Sequence, residues 1–368
     1  MEKKIKITYI IPSLNIGGAE RFNLDLIDYL DLNIFEPQII LFKDGGDWFK
    51  QLKDNNKIKC FVLKKKSGID FKNIWQIYRI LKQEKPDIVH TQLGGDLRGR
   101  LAALLAKIKI ILATEQNINR HENFFYSLCK SLITLFSTET ISISEAVKKD
   151  SQRRYFLAAH KYQKIISNGV NLKKFPYLEK KEGRKIKQLG TASRLVEQKG
   201  LDLLIKAWSK AKIDQAQLLI GGSGPEMKNL QNLVNKYQLS QQIKFIGPVE
   251  NSSTFYQSLD LFIMPSRWEG LGISALEAAA SGTPLLLSRV DGLKEIFNDN
   301  EAWFIKDINQ IESDLTRAVK ELDTNMENKR QAAYQKIASN FSINIINEQY
   351  LKLYQHHLKA QKNENTIS

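Results

Sequence analysis

Short apolar runs alternate with amphipathic stretches along this chain, and they do so in two successive arrays. In the first, strand-like runs fall at Ile5–Ile11, Gln38–Phe42, Lys59–Leu63, Asp87–His90, Ile110–Ala113, Thr138–Ile143 and Lys164–Ile166. Helical patterns separate them at Ala19–Leu30, Phe71–Gln83, Asp96–Ala106 and Asn123–Phe136. Parallel strands need a long crossover between them, so strands alternating with helices predict a parallel sheet covered on both faces. The second array has runs at Ile186–Gly190, Gln217–Ile220, Ile243–Ile246, Leu261–Met264, Leu285–Leu287 and Trp303–Phe304, with helices at Gly200–Ser209, Pro225–Tyr237 and Ser274–Ala280. Each array is an α/β architecture, and the two are copies of one plan. The expected domains are residues 1–170 and 188–340, with the polar, Lys-rich stretch 171–187 as a linker and a ligand cleft between the two copies. Helical patterns continue to about Leu358, and residues 359–368 read as a disordered tail.

At 368 residues the chain is long for one core and natural for two. It has no apolar run of the roughly 18 residues a membrane span needs, and its first residues lead straight into a strand pattern rather than a signal peptide. Cys60 and Cys129 lack metal-ligand spacing and read as reduced core thiols of a cytoplasmic protein. The net charge is +15, and residues 1–170 carry 28 Lys/Arg against 18 Asp/Glu, the more basic half. Such a bias suits an anionic membrane surface; a solvated Lys-rich surface is the plainer reading. The lysines are spread out, not set in an aromatic-interleaved stripe, which argues against nucleic acid.

Chemistry gathers where strands end. Gly17 and Gly18 stand between the first strand and its helix, where backbone approaches a ligand closely and unpaired helical N–H groups favour an anion. The spacing is not G-x-G-x-x-G, so a dinucleotide site is not indicated. His90 ends a strand at the carboxyl edge, where α/β folds bind ligands; a hydrogen-bonded structural histidine is the alternative. Gln116 ends the next strand in Thr114-Glu115-Gln116-Asn117. In the second array, Arg194 and Lys199 straddle a loop leading into a helix, a placement that suits a diphosphate. Gly222 lies in Gly221-Gly222-Ser223-Gly224-Pro225, a nucleotide-binding type of turn with Pro225 expected at the first helical position.

The stretch Met264–Val290 is the most pointed. A strand passes through Gly270, Leu271 and Gly272 into a helix of small residues, with Glu269 in the loop and Glu277 in the helix. A helix N-terminus attracts an anion. Carboxylates beside it make sense when something neutral there needs acceptors, such as sugar hydroxyls.

Taken in order, Gly-Gly-Ala-Glu-Arg at 17–21, Asp-Ile-Val-His-Thr at 87–91, Ser-Glu-Ala-Val at 144–147, Asn-Gly-Val at 168–170, Arg-Leu-Val-x-x-Lys-Gly at 194–200 and the Glu269/Glu277 pair resemble a retaining glycosyltransferase of the GT4 family. The resemblance covers about residues 5–300 and implies the GT-B fold, two Rossmann-like domains facing across a cleft. It also implies a last helix, residues 341–358, that crosses back to the N-terminal domain. Arg194 and Lys199 would bind the donor diphosphate, Glu269 the sugar and Glu277 the ribose, with Glu269, Arg194 and Lys199 as the catalytic set. Backbone N–H groups of Gly17, Gly18, Gly270, Leu271 and Gly272, with Gly222, would complete the donor site. No metal or other cofactor is implied; the co-substrate is a nucleotide sugar, UDP-linked by expectation. The acceptor, lipid-linked or a glycan, would dock on the N-terminal domain near His90 and Gln116, at the inner face of the cell membrane.

One position departs from the family pattern: relatives commonly have His where this chain has Gln116. A glutamine keeps hydrogen bonding but cannot be a cation or general base. The alternatives on the same fold are a glycan phosphorylase, a sugar-nucleotide epimerase, or a non-catalytic nucleotide-sugar binder.

Overall fold

The computed structural model describes residues 4–49, 58–63, 71–93, 96–120, 122–179, 187–211, 213 and 215–367. His121, Gly94, Gly95 and part of the expected linker, residues 180–186, lie outside the described residues. The chain divides into two compact units: Met1–Gly169 with Asn344–Ser368, and Val170–Ile343.

The first unit holds β1 (Ile5–Ile11), β2 (Phe35–Leu41), β3 (Lys59–Val62), β4 (Ile88–Gln92), β5 (Ile110–Glu115), β6 (Glu139–Ser142) and β7 (Lys164–Ile165). They form one sheet in the order β3-β2-β1-β4-β5-β6-β7, and its pairings are all parallel. The crossover helices are α1 (Gly18–Asp28), α2 (Phe71–Glu84), α3 (Asp96–Leu105), α4 (Phe124–Leu135) and α5 (Glu145–Arg154). Central strands β4 and β5 are buried throughout, as strands under helices on both faces should be, although each carries polar residues toward its carboxyl end. The strand order reverses between β1 and β4, so this sheet has a switch point at its carboxyl edge.

The second unit repeats the plan. Strands β8 (Lys187–Ala192), β9 (Ala216–Gly221), β10 (Ile243–Gly247), β11 (Leu261–Met264), β12 (Leu285–Ser288) and β13 (Trp303–Ile305) run in the order β10-β9-β8-β11-β12-β13. Its helices are α6 (Leu201–Trp208), α7 (Met227–Lys236), α8 (Ser252–Ser258), α9 (Ile273–Ala280), α10 (Asp291–Lys294) and the long α11 (Ile311–Asn340). Leu189, Leu204, Leu218, Ile263 and Leu286 form the core with Leu315 and Leu322 of α11.

Several expectations need correction. Residues 171–179 are not a free linker: Phe175 is buried against Tyr256, Tyr177 lies 4.6 Å from Tyr334, and the Leu178 N–H donates to the Ser281 carbonyl. Two aromatics give that segment enough apolar surface to pack on the second unit. The last helix, α12 (Ile343–Ile367), runs through the expected disordered tail. It belongs to the first unit, where Tyr350 and Tyr354 are fully buried. Pro225 precedes α7 by two residues instead of opening it. Cys60 and Cys129 are only half-buried, not core thiols. Burial still pushes the Cys60 thiol up to about 11.

Candidate active site

Three loops at the carboxyl edge of the second sheet lock together. Gly222 after β9 has φ +126, and a Cβ there would strike the Ser193 carbonyl of the loop after β8. Gly200, left-handed at φ 64, caps α6 where a Cβ would strike the Pro265 carbonyl of the loop after β11. The Leu195 N–H donates to Ser223 at 2.9 Å, and the Arg267 N–H to the Gln198 carbonyl at 2.8 Å. Gln198 Nε2 donates in return to the Trp268 carbonyl at 3.0 Å. The Arg267 guanidinium forks onto both oxygens of Asp202 at 2.7 and 2.9 Å. These contacts hold the loops in one arrangement.

Glu269 sits inside this frame with 5% of its surface exposed. Lys199 Nζ forms a short ion pair with its Oε1, and Ser266 Oγ donates to the same oxygen at 3.0 Å. So the two groups assigned separately to diphosphate and sugar hold each other in this structure. A buried carboxylate needs that compensation. Arg194 is exposed on the same loop system, with no ion-pair partner among the described residues. Glu277 is also buried, in the body of α9, and accepts from the Tyr256 hydroxyl at 2.9 Å.

The loop from Gly270 through Leu271 is buried, and Gly272 at φ 88 caps α9. A side chain at Gly272 would collide with Leu293 of α10, and one at Gly292 would meet the Glu269 and Gly270 carbonyls at 2.5 and 2.6 Å. The glycines thus let α10 brace the loop from behind. The first N–H groups of α9 have no acceptor within the helix, so this end presents donors and the positive end of the dipole. Donors at a helix end, a lysine, a serine and two carboxylates make a site for an anion joined to a polyol.

In the first unit, Gly17 caps α1 with extended backbone, and the Glu20 carboxylate folds back beside it. The loop after β1 is braced by that after β2: Ile16 N–H donates to Asp47 at 3.0 Å, and Trp48 N–H to the Leu14 carbonyl at 2.8 Å. His90 is fully buried, with Nδ1 2.8 Å from Tyr354 and Nε2 2.8 Å from Thr114. Its place on the acceptor side is therefore corrected: it anchors α12 to the sheet. Burial holds the Tyr9, Tyr350 and Tyr354 hydroxyls far above their usual ionisation range, so this cluster is uncharged tyrosine.

Gln116 is the middle of a chain of amides. Its Nε2 donates to Gln92 Oε1 at 3.1 Å, and its Oε1 accepts from Asn168 Nδ2 at 2.7 Å. At the ends, Gln92 Nε2 and Asn168 Oδ1 are buried without a partner among the described residues. Beside it Glu115 is buried between Arg100 at 3.3 Å and Lys130 at 2.8 Å. Asn168 and Glu115 stand inside the motifs read from the sequence, and Ser266 inside the Met264–Val290 stretch, with no role apparent there. Nothing local marked Gln92, Tyr256 or the Asp202–Arg267 fork, because their partners are distant in the chain.

Two Rossmann-like units, one with a Gly-rich site for an anion and hydroxyls, define the class. Solved structures share the whole arrangement of elements. Anabaena Alr3699/HepE in complex with UDP and glucose aligns with TM-score 0.81 at 18% identity, covering 96% of this chain and 100% of that one. A glycosyltransferase from Rickettsia africae ESF-5 aligns with TM-score 0.80 at 22% identity, covering 97% and 100%. The fold is GT-B. Residues 174–339 match the sequence profile of glycosyl transferases group 1, and residues 16–174 that of glycosyltransferase family 4. The chain belongs to the family 4 glycosyltransferases. Among curated relatives, an Escherichia coli UDP-Gal:alpha-D-GlcNAc-diphosphoundecaprenol alpha-1,3-galactosyltransferase is 25% identical over 367 residues, spanning 92% of this chain and 94% of that protein. The Escherichia coli O-antigen biosynthesis glycosyltransferase WclY is 25% identical over 315 residues, spanning 80% and 83%.

Proposed function

We propose that this enzyme transfers a hexosyl group from a UDP-sugar to a lipid-linked or glycan acceptor in assembly of a cell-envelope polysaccharide, with retention at the anomeric carbon. The observation that carries the reading is the Lys199–Glu269–Ser266 cluster under the N-terminal end of α9, with exposed Arg194 on the adjoining loop. The relatives named for a UDP-galactose donor, a diphosphoundecaprenol acceptor and O-antigen synthesis support the choice of substrates.

In this reading Arg194, Lys199 and the α9 N–H groups meet the diphosphate charge. Glu269 turns from Lys199 toward the sugar hydroxyls as the donor binds, and Glu277 receives the ribose. The bond from the anomeric carbon to the diphosphate oxygen breaks as the bond to the acceptor oxygen forms on the same face. The acceptor's proton passes to the departing phosphate oxygen. The protein contributes positioning and charge stabilisation, which suffice for large rate effects without a protein nucleophile. The charges named here carry the leaving group without a metal ion, so transfer is expected to persist in excess EDTA; loss of activity restored by a divalent cation would refute that part.

A thermal-shift panel of UDP, GDP, ADP and their sugars tests the donor site, since ligands stabilise by mass action. UDP and one UDP-sugar should raise the midpoint. No shift with any nucleotide refutes the reading, and proton NMR of the product's anomeric coupling decides between retention and inversion.

A further inference from the structure

Helix α4 is inside out. Its buried residues are Ser127, Lys130, Ser131 and Thr134, all polar. Its outer side carries Phe124 at 73% exposed, Phe125 at 70% and Leu132 at 46%, followed by Phe136 at 69%. An ordinary surface helix has the reverse pattern. The orientation is fixed from within: Lys130 is ion-paired to Glu115 and bonded to the Tyr155 hydroxyl, and Arg100 donates to Thr134. Turning the helix over would break a buried ion pair, so the aromatics are held outward. Next to it, the segment Phe156–Lys161 packs against α4 and adds exposed Phe156 and Leu157.

The surroundings are basic. From Arg120 to Lys164 the chain has eight Lys/Arg against four Asp/Glu. Arg120, Lys149, Arg153 and Lys164 are exposed in that stretch, as is Lys107 at the end of α3, which packs beside α4. No described helix is long and apolar enough to cross a membrane. An apolar face of about 18 Å in a stretch with an excess of exposed cations is what a helix lying in the headgroup region of an anionic bilayer presents. α4 follows β5, so Phe124 and Phe125 open it at the carboxyl edge that also carries Gln116.

We propose that the outer face of α4, with Phe156 and Leu157, is a membrane-docking surface that inserts into the headgroup layer of an anionic bilayer. The proposal deepens the functional reading and rests on its lipid-linked acceptor. Docked in this way, the carboxyl edge of the first unit meets an acceptor whose lipid stays in the membrane.

The test is co-sedimentation of the full chain with phosphatidylcholine vesicles, with and without phosphatidylglycerol, at low and high salt. The wild type should bind the anionic vesicles, more weakly in high salt. A Phe124→Ser/Phe125→Ser/Phe136→Ser variant should bind at least about tenfold less, while its thermal shift with UDP is unchanged. A Phe125→Trp variant, which keeps the surface apolar, should show blue-shifted emission on the same vesicles. Equal binding by the triple variant, or no binding by the wild type, overturns the proposal. So does a wild-type dimer that the triple substitution makes monomeric while vesicle binding is absent, since the face would then serve a second copy. If vesicles bind but UDP does not, the donor reading fails and this surface stands.

Discussion

A carboxylate buried as deeply as Glu269 is tolerable only with a cation at hand, and Lys199 is that cation. Substituting Lys199 therefore does two things, removing the phosphate contact proposed for it and orphaning a buried charge. Lys199→Ala should cost about 3–5 kcal/mol of stability, read by urea denaturation. The Lys199→Ala/Glu269→Gln double variant should recover much of that loss while its UDP affinity stays low. Full recovery of UDP binding in the double variant would show that Lys199 only neutralises Glu269. Glu269→Ala should leave UDP binding in place and depress transfer. At Gln116 the same logic applies to neutral groups. Gln116→His removes an amide bonded on both sides and leaves Gln92 and Asn168 buried without it, at about 1–3 kcal/mol. Turnover is expected to change little, because in the proposed mechanism the departing phosphate takes the proton. A large gain in turnover would show that the natural protein is impaired at this position.

At the level of elements, α9 and the loops around it do the positioning. Gly272→Ala places a side chain at φ 88 and against Leu293. It should cost more than about 1 kcal/mol and weaken UDP binding in the same variant. Behind the loops, burial alone would raise the Asp202 carboxyl, but the Arg267 fork outweighs it and holds the group below the usual carboxylate range. A depressed acid stabilises the fold above its unfolded value of about 3.9 and loses that contribution as the pH falls through the folded value. Denaturation midpoints of the wild type and Asp202→Asn should therefore differ most near neutral pH and converge in acid. The strands were readable in advance to within a few residues, because buried parallel strands are short apolar runs between turns. Helices α5 and α8 were not read out, since Glu145–Arg154 is mostly polar and Ser252–Ser258 is short. The inverted face of α4 was equally hidden: periodicity shows that a helix has an apolar side, not which way that side points.

For the molecule as a whole, the doubling of the α/β plan and the Gly-rich loops at the carboxyl edge of the second sheet could be read from the sequence, because they depend on local glycines and strand ends. His90 could not be placed, since its surroundings come from Tyr350 and Tyr354, more than two hundred residues away in the chain. The same distance makes a prediction. Tyr354→Phe removes the hydroxyl bonded to both His90 and Tyr9. It should lower the first unit's stability by about 1–3 kcal/mol, seen as faster amide exchange in β1 and β4 with the second unit's exchange unchanged. The chain enters the second unit at Val170 and leaves it at Ile343, and the two passages bond to each other: Val170 N–H to Phe341, and Ile343 N–H to Val170. The second unit is thus a continuous insertion in a discontinuous first one. During synthesis the order of emergence is not the order of completion. The strands made first, with Tyr9 and His90, must wait for α12, while the unit made later can finish before it. A released chain truncated just before Ile343 should hold a protease-resistant second unit beside a still cleavable first.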